Sequence, residues 1–222
     1  MAIAKVRQLR KSIEKLSQWE GSGNAFGFVE GISENKTNYI YEFFCAIKVL
    51  NDLNTHHNIK LCPGKKGYKF AINPGIKSEW AKFIISKSKS SNEPLYDLCM
   101  GVSVKISMSP QTTFAADISI QDPNSEDPDE SHVVLIMDAK YRKSSKATLD
   151  IGIIREFAQC ARDMQVPKRL DGLKFNKLVD LASNCLLTNG ELINEHEQYC
   201  KNNKIKQVGR FDCDNRQMIV VG

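Results

Sequence analysis

Long apolar runs are missing from this 222-residue chain: none approaches the ~20 consecutive apolar residues that a membrane-spanning helix needs. The first residues carry Lys5, Arg7, Arg10 and Lys11 but no apolar core, so they do not read as a secretion signal; a cytoplasmic protein with no membrane partner is expected. Cysteine occurs seven times, an odd number, and never as Cys-x-x-Cys, which suits reduced thiols better than a disulfide framework. Histidine occurs four times. His196 and Cys200 are four apart on an expected helix, and His56, His57 and Cys62 cluster loosely. Neither set supplies the ligands of a structural zinc site. No Ser-His-acid or Cys-His set is discernible from spacing, so nothing argues for a covalent intermediate. Internal repeats and long low-complexity segments are absent as well.

What is present is the composition of one α/β domain with appendages. Hydrophobic residues make up 41% of the chain, enough for a substantial core. Residues 2 to 19 read as an amphipathic helix, followed by a loosening loop from Glu20 to Asn24, so residues 1–24 form an N-terminal helix and loop and 25–222 the main domain. A Lys-, Ser- and Gly-rich insertion is expected at about 54–95, with Glu79 to Ser86 helical. Formal net charge is +5, unevenly spread: the stretch Gln121 to Ser131 holds five acids and no Lys or Arg, so the rest of the chain carries the cationic excess. That balance permits a polyanionic partner.

The most informative words are Asp138-Ala139-Lys140, at the end of the apolar run His132 to Met137. Side chains two apart on a strand leave by the same face, so a carboxylate and an ammonium would point into one space. Such a buried pair serves either as a structural ion pair or as a site for a metal and an anion. Upstream, Thr113 to Gln121 reads as a second strand in which Phe114, Ala116, Ile118 and Ile120 alternate with Ala115, Asp117, Ser119 and Gln121. The turn-rich connection from Asp122 to Ser131 lets the two strands pair as an antiparallel hairpin, on which Asp117, Asp138 and Lys140 converge. Val102 to Ser109 gives a further amphipathic strand before the site. A helix over Asn38 to Leu53 places Glu42 in an apolar stripe with Tyr39, Ala46, Val49 and Leu53, while Lys48 and Asp52 mark the wet side. Asp150 to Gln165 reads as a helix with Ile151, Ile154, Ala158, Ala161 and Met164 toward a core and Arg155, Gln159 and Arg162 as a polar stripe. Asn184 to Thr188 reads as a strand, Thr188 to Glu191 as a helix capping box, and a helix to about Asn202 with a strand Ile205 to Phe211 completes a βαβ unit.

An aspartate on one strand followed by acidic-x-lysine on the next, with Glu42 on a preceding helix, resembles the PD-(D/E)XK nuclease superfamily, over roughly residues 36 to 213. Ala116 stands where that superfamily often has proline before the first aspartate. The wording Tyr41-Glu42-Phe43-Phe44-Cys45 and Asp138-Ala139-Lys140-Tyr141-Arg142 is similar to nuclease subunits of modified-DNA restriction systems. The resemblance implies a restriction-endonuclease-like core, a central mixed β-sheet flanked by helices. It implies catalytic roles for Glu42, Asp117, Asp138 and Lys140, and it makes Gln159 a candidate beside the site.

Hard oxygen donors of this kind suit Mg²⁺, with Mn²⁺ as a substitute. Asp117 and Asp138 are expected as direct ligands, the Ala139 carbonyl as a third, and Glu42 as a direct or water-mediated one. Lys140 would orient or deprotonate the attacking water and stabilise developing charge. Arg142, Lys143, Arg155 and Gln159 are the candidate substrate contacts, with a solvated basic loop as the plain alternative for Lys143 and Lys146. The expected function is a metal-dependent DNA endonuclease of a restriction or defence system. The alternatives are an inactive nuclease-like scaffold, a nucleic-acid-binding module whose charges form a structural ion-pair cluster, or an RNA nuclease. A homodimer and a separate targeting subunit are both compatible with that reading.

Overall fold

The computed structural model describes residues 2–19 and 37–222, apart from positions 72, 108, 124, 169 and 215 and the side chains of 2, 3 and 109–112. The loop expected at Glu20 to Asn24 lies outside the described residues. Val6, Leu9 and Ile13 recur at helical spacing and are all buried, so α1 (Ala2–Leu16) presents one apolar stripe, which packs on α2 (Thr37–Leu53).

α2 is enclosed on nearly every side, which corrects the expected wet face. Lys48 donates to the Asp212 carbonyl at 2.9 Å and lies 4.3 Å over the Phe211 ring. Asp52 is 7% exposed and accepts the backbone N–H groups of Asn176, Lys177 and Leu178 at 2.8, 2.8 and 3.3 Å. The segment carrying Leu173, Leu178 and Leu181 folds over that side of the helix and shares its core. A lone charge on a helix reads as a solvated one, because nothing local shows which distant loop it will cap. Asp52→Ala would leave three backbone donors, one of them fully buried, without their acceptor. The expected loss is on the order of 3 kcal/mol, or a melting temperature lower by ~6–12 °C for a chain of this size. Thermal melts of Asp52→Ala and Asp52→Asn test it, and an unchanged melting temperature in both would remove the capping role.

Among the described residues one large mixed sheet dominates, in the order β1-β2-β3-β6-β7-β8-β9-β10. Its strands are β1 (Ile59–Cys62), β2 (Lys82–Ser86), β3 (Pro94–Cys99), β6 (Ile118–Gln121), β7 (Val133–Lys140), β8 (Asn184–Thr188), β9 (Ile205–Gly209) and β10 (Ile219–Val221). Neighbours from β1 to β7 pair antiparallel, β7-β8-β9 pair parallel, and β10 returns antiparallel. β4 (Val104–Ile106) and β5 (Ser109–Phe114) form a separate two-stranded ribbon. β7 is covered on both faces: Leu135, Met137 and Ala139 join the core under α2, and Val133 and Ile136 join the core under α3 (Ile151–Asp163). A strand buried on both sides reads as a continuous apolar run, as Val133 to Met137 does.

Several expected elements change. Glu79 to Ser86 is not helical: only Lys77–Glu79 makes a 3-10 turn, and Lys82–Ser86 is β2, whose Phe83 and Ile85 alternate into the core. β-branched and aromatic residues at a two-residue period outweigh the helix propensity of the lysines. The supposed insertion thus supplies β1, β2 and the start of β3 to the main sheet. The strand expected over Thr113 to Gln121 is two, because the chain leaves the β4-β5 ribbon at Phe114 and enters the main sheet at Ile118. Thr188 to Glu191 is not a helix cap; a short α4 (Glu197–Asn202) begins only after a 3-10 turn at Asn194–His196. α3 ends within two residues of expectation and is capped by Asp150, whose carboxylate accepts from Gly152 N–H at 2.7 Å.

Candidate active site

The antiparallel β6-β7 register sets Ile118 against Met137, so Asp117, one residue before β6, comes opposite Asp138. The two are stitched by backbone donors: Asp117 N–H donates to Asp138 Oδ1 at 3.2 Å, and Ala139 N–H to Asp117 Oδ2 at 2.8 Å. Lys140 Nζ bridges both carboxylates, 3.1 Å from Asp138 Oδ2 and 3.5 Å from Asp117 Oδ2. Their side chains are 14% (Asp138), 21% (Asp117) and 33% (Lys140) exposed, so the group is open to a ligand at one end of the central β6-β7 pair.

Glu42 reaches the same space from α2. Burial, then repulsion from Asp117 and, more weakly, Asp138, pushes its carboxyl up to about 8, although Lys140 pulls the other way. Burial and the neighbouring Asp138 likewise raise Asp117 to about 6, against Lys140 and the Ala139 N–H. The carboxylates hold Lys140 well above the usual ammonium range, despite its burial. Three carboxyl groups therefore share one cation, and only Glu42 among them keeps its proton through neutrality. That negative excess is what a bound divalent cation would relieve, and the donors are hard oxygens. Asp117, Asp138 and Glu42 thus fit such an ion in charge and chemistry. In their present placement their oxygens do not all lie within 4.8 Å of one another, since among the described residues only Asp212, Cys213 and Asp214 form a set of three that close. That second set is already saturated by cations: Lys5 lies 2.7 Å from Asp212 and 3.6 Å from Asp214, and Arg216 3.9 and 3.6 Å from the same pair.

The raised carboxyls have a signed consequence. A carboxyl whose folded pKa lies above its unfolded value favours the fold while protonated; that stability is complete below about 4.5, the ordinary glutamate value, and is lost as pH rises through about 8 for Glu42. The metal-free protein is therefore expected to melt progressively lower from pH 5 to pH 8, and Mn²⁺ to restore most at the alkaline end. Glu42→Gln should flatten that slope and shrink the Mn²⁺ effect. Melting temperatures across this range, with and without Mn²⁺, decide it: an identical slope in Glu42→Gln would take Glu42 out of the cluster.

The remaining expected contacts are less uniformly placed. Arg142 follows the motif directly and is half-buried, with its Nε enclosed and without a partner. Lys143 and Lys146 are exposed on the following loop, and Arg155 on α3. Gln159 is exposed too, and its amide is used along the helix, donating to Asp163 at 2.7 Å and accepting from Arg162 at 2.6 Å. The α3 residue that faces the site instead is Cys160, whose thiol burial and the nearby Asp138 push up to about 12. The polar stripe Arg155, Gln159 and Arg162 is solvent-exposed as expected, and Ile154, Ala158, Ala161 and Met164 face the core.

Sequence reasoning also missed the brace behind the motif. Thr188 Oγ1 donates to the Lys140 carbonyl at 2.9 Å, while the Asn189 amide accepts from Arg142 N–H at 2.6 Å and donates to Arg142 C=O at 2.8 Å. Gly190 completes it, because a Cβ there would lie 2.1 Å from the Ala147 carbonyl. The Thr-Asn-Gly words were legible; parallel pairing of Lys140 with Thr188, which gives them this task, was not. No family model, curated protein or solved structure matches this chain. Among the described residues no helix is long and apolar enough to cross a membrane.

Proposed function

We propose that this chain is a metal-dependent nuclease with a restriction-endonuclease-like core, acting on DNA in a restriction or defence setting. The observation that carries the reading is the convergence of Asp117, Asp138 and Lys140 at one end of the central β6-β7 pair, with Glu42 brought in from α2. The order helix, antiparallel β3-β6-β7, helix, parallel β8-β9 is consistent with that core. A bound Mg²⁺ would supply a lowered pKa for water and charge neutralisation at the phosphate.

The chain's own residues supply the rest. Asp117 and Asp138 present oxygens fixed by the Ala139 and Asp117 backbone donors, so ligand geometry is set by strand register rather than by flexible side chains. Lys140, held protonated by its neighbours, can orient water and stabilise charge growing on a phosphate oxygen; it is poorly suited to take up a proton. Between the two roles first considered for it, orientation and deprotonation, the electrostatic one is favoured. Arg142 and Lys143, just after Tyr141, would hold flanking phosphates.

A second reading has one observation in its favour: Lys140 already pairs with both aspartates, as a structural ion-pair cluster would require. A Mg²⁺ titration of cleavage on supercoiled, linear, branched and single-stranded DNA, with RNA in parallel, separates the two. Metal-dependent cleavage supports the nuclease; none on any substrate, with no Mn²⁺ stabilisation, leaves the ion-pair cluster. RNA cut in preference to DNA would keep the mechanism and move the substrate.

A further inference from the structure

A cleft of about 630 Å³ opens away from the carboxylates, lined by Lys65, Lys77, Ser78, Trp80, Lys82 and Glu126 among others. It is a built feature. Gly64 and Gly67 close a tight hairpin through reciprocal backbone bonds at 3.0 and 2.9 Å. The hairpin tip is pinned to the 3-10 turn by Lys65 N–H to the Ser78 carbonyl at 3.0 Å and Lys66 N–H to the Glu79 carbonyl at 2.9 Å. Only glycine fits at 64, where a Cβ would stand 2.4 Å from the Trp80 carbonyl. Lys66 is turned outward over the Trp80 ring at 4.3 Å and pairs with Glu79 at 2.6 Å, which leaves Lys65 facing the cleft.

The charge balance of its floor is uneven. Lys77, 2% exposed, and Lys82 both pair with the same oxygen, Asp97 Oδ2, at 2.9 and 2.7 Å. Two ammonium groups thus share one buried carboxylate, and Lys65 adds a third cation at the rim against Glu126 alone. Lys77 also donates to the Asp122 carbonyl at 2.9 Å, so the part-exposed Lys82 and the exposed Lys65 are the cations that an anion entering the cleft would meet. The volume exceeds what phosphate alone would fill and falls within the range of small-molecule sites. The walls include flat, apolar groups, Trp80 with Pro63 and Pro123.

We propose that this cleft is a nucleotide-binding site, taking the phosphate on Lys65 and Lys82 and the nucleoside against Trp80. It is separate from the carboxylate cluster: no residue of that cluster lines it, and Pro123, on its wall, lies past the opposite end of β6 from Asp117. The site takes one chemistry from either of two sources, a free nucleotide or one nucleotide of a nucleic-acid strand.

The test is calorimetry and tryptophan fluorescence on the full chain in EDTA, so that the outcome is independent of hydrolysis at the carboxylates. The probes are adenosine, inorganic phosphate, adenosine 5′-monophosphate and a five-nucleotide single strand. Saturable binding of the monophosphate is expected, at least ten-fold tighter than adenosine or phosphate. Lys65→Ala and Lys82→Gln should each weaken it about ten-fold, while Lys177→Ala, an exposed lysine elsewhere, should not. Lys65 sits on an exposed hairpin tip, so its replacement remains informative even if Lys82→Gln fails to fold. Tighter binding of the strand assigns the site to nucleic acid, and equal binding assigns it to free nucleotide. Absence of saturable binding, phosphate binding as well as the monophosphate, or indifference to Lys65→Ala would overturn the proposal.

Discussion

Asp117→Asn and Asp138→Asn are each expected to abolish Mg²⁺-dependent cleavage, by on the order of 10³-fold or more, which corresponds to ~4 kcal/mol of lost transition-state stabilisation. Asparagine is the informative replacement because each aspartate also accepts a backbone N–H, Asp138 from Asp117 and Asp117 from Ala139. The amide oxygen retains that bond, whereas alanine would add a packing loss to the chemical one. Removing one of three crowded carboxylates should also leave the metal-free protein as stable as the wild type, or more so, above the pH of about 6 at which Asp117 ionises. Lost cleavage with an undiminished melting temperature is therefore the expected pair of results. Wild-type turnover in either purified variant would remove the site.

Lys140→Ala should lower the single-turnover rate by ~10²–10³-fold, the range for one preorganised electrostatic donor, with little change in substrate affinity. It should also destabilise the metal-free protein near pH 8, because Lys140 is the cation between Asp117 and Asp138. Mn²⁺ should restore part of that stability. Arg142→Ala and Lys143→Ala should behave oppositely, weakening binding and reducing its log-log salt slope by about one unit per lost phosphate contact, while saturated rates hold. If Lys140→Ala loses affinity yet cleaves normally at saturation, its assigned role is wrong.

The strand part of the candidate site was the most legible in sequence because its determinants are local. Apolar continuity from Val133 to Met137 marks a strand, and the period of two then places Asp138 and Lys140 on one face. The acidic stretch before it reads as a reversal, and the reversal sets Asp117 opposite Asp138. Glu42 could be placed on a helix, but only the packed structure brings that helix over β7. What failed was mostly non-local. Asp52 looked solvated until the 173–181 segment covered it, and Thr188 and Asn189 looked like a helix cap until β8 paired with β7. Lys82 to Ser86 was misread because its lysine and serine ends hide a short strand, which β1 and β3 flank in the sheet.

β7 is the seam between two kinds of pairing, antiparallel toward β6 and parallel toward β8, and this has a consequence for the order in which the molecule assembles. The β6-β7 hairpin closes a short loop, so Asp117, Asp138 and Lys140 meet early at small entropic cost. Pairing with β8 waits for the crossover through α3, and Glu42 joins from 75 residues upstream of Asp117. The carboxylates therefore confront one another before the helix that seals them has docked. Amide hydrogens of Ile120 and Leu135 should be among the slowest to exchange with solvent, and those of the edge strands β1 and β10 should open before them.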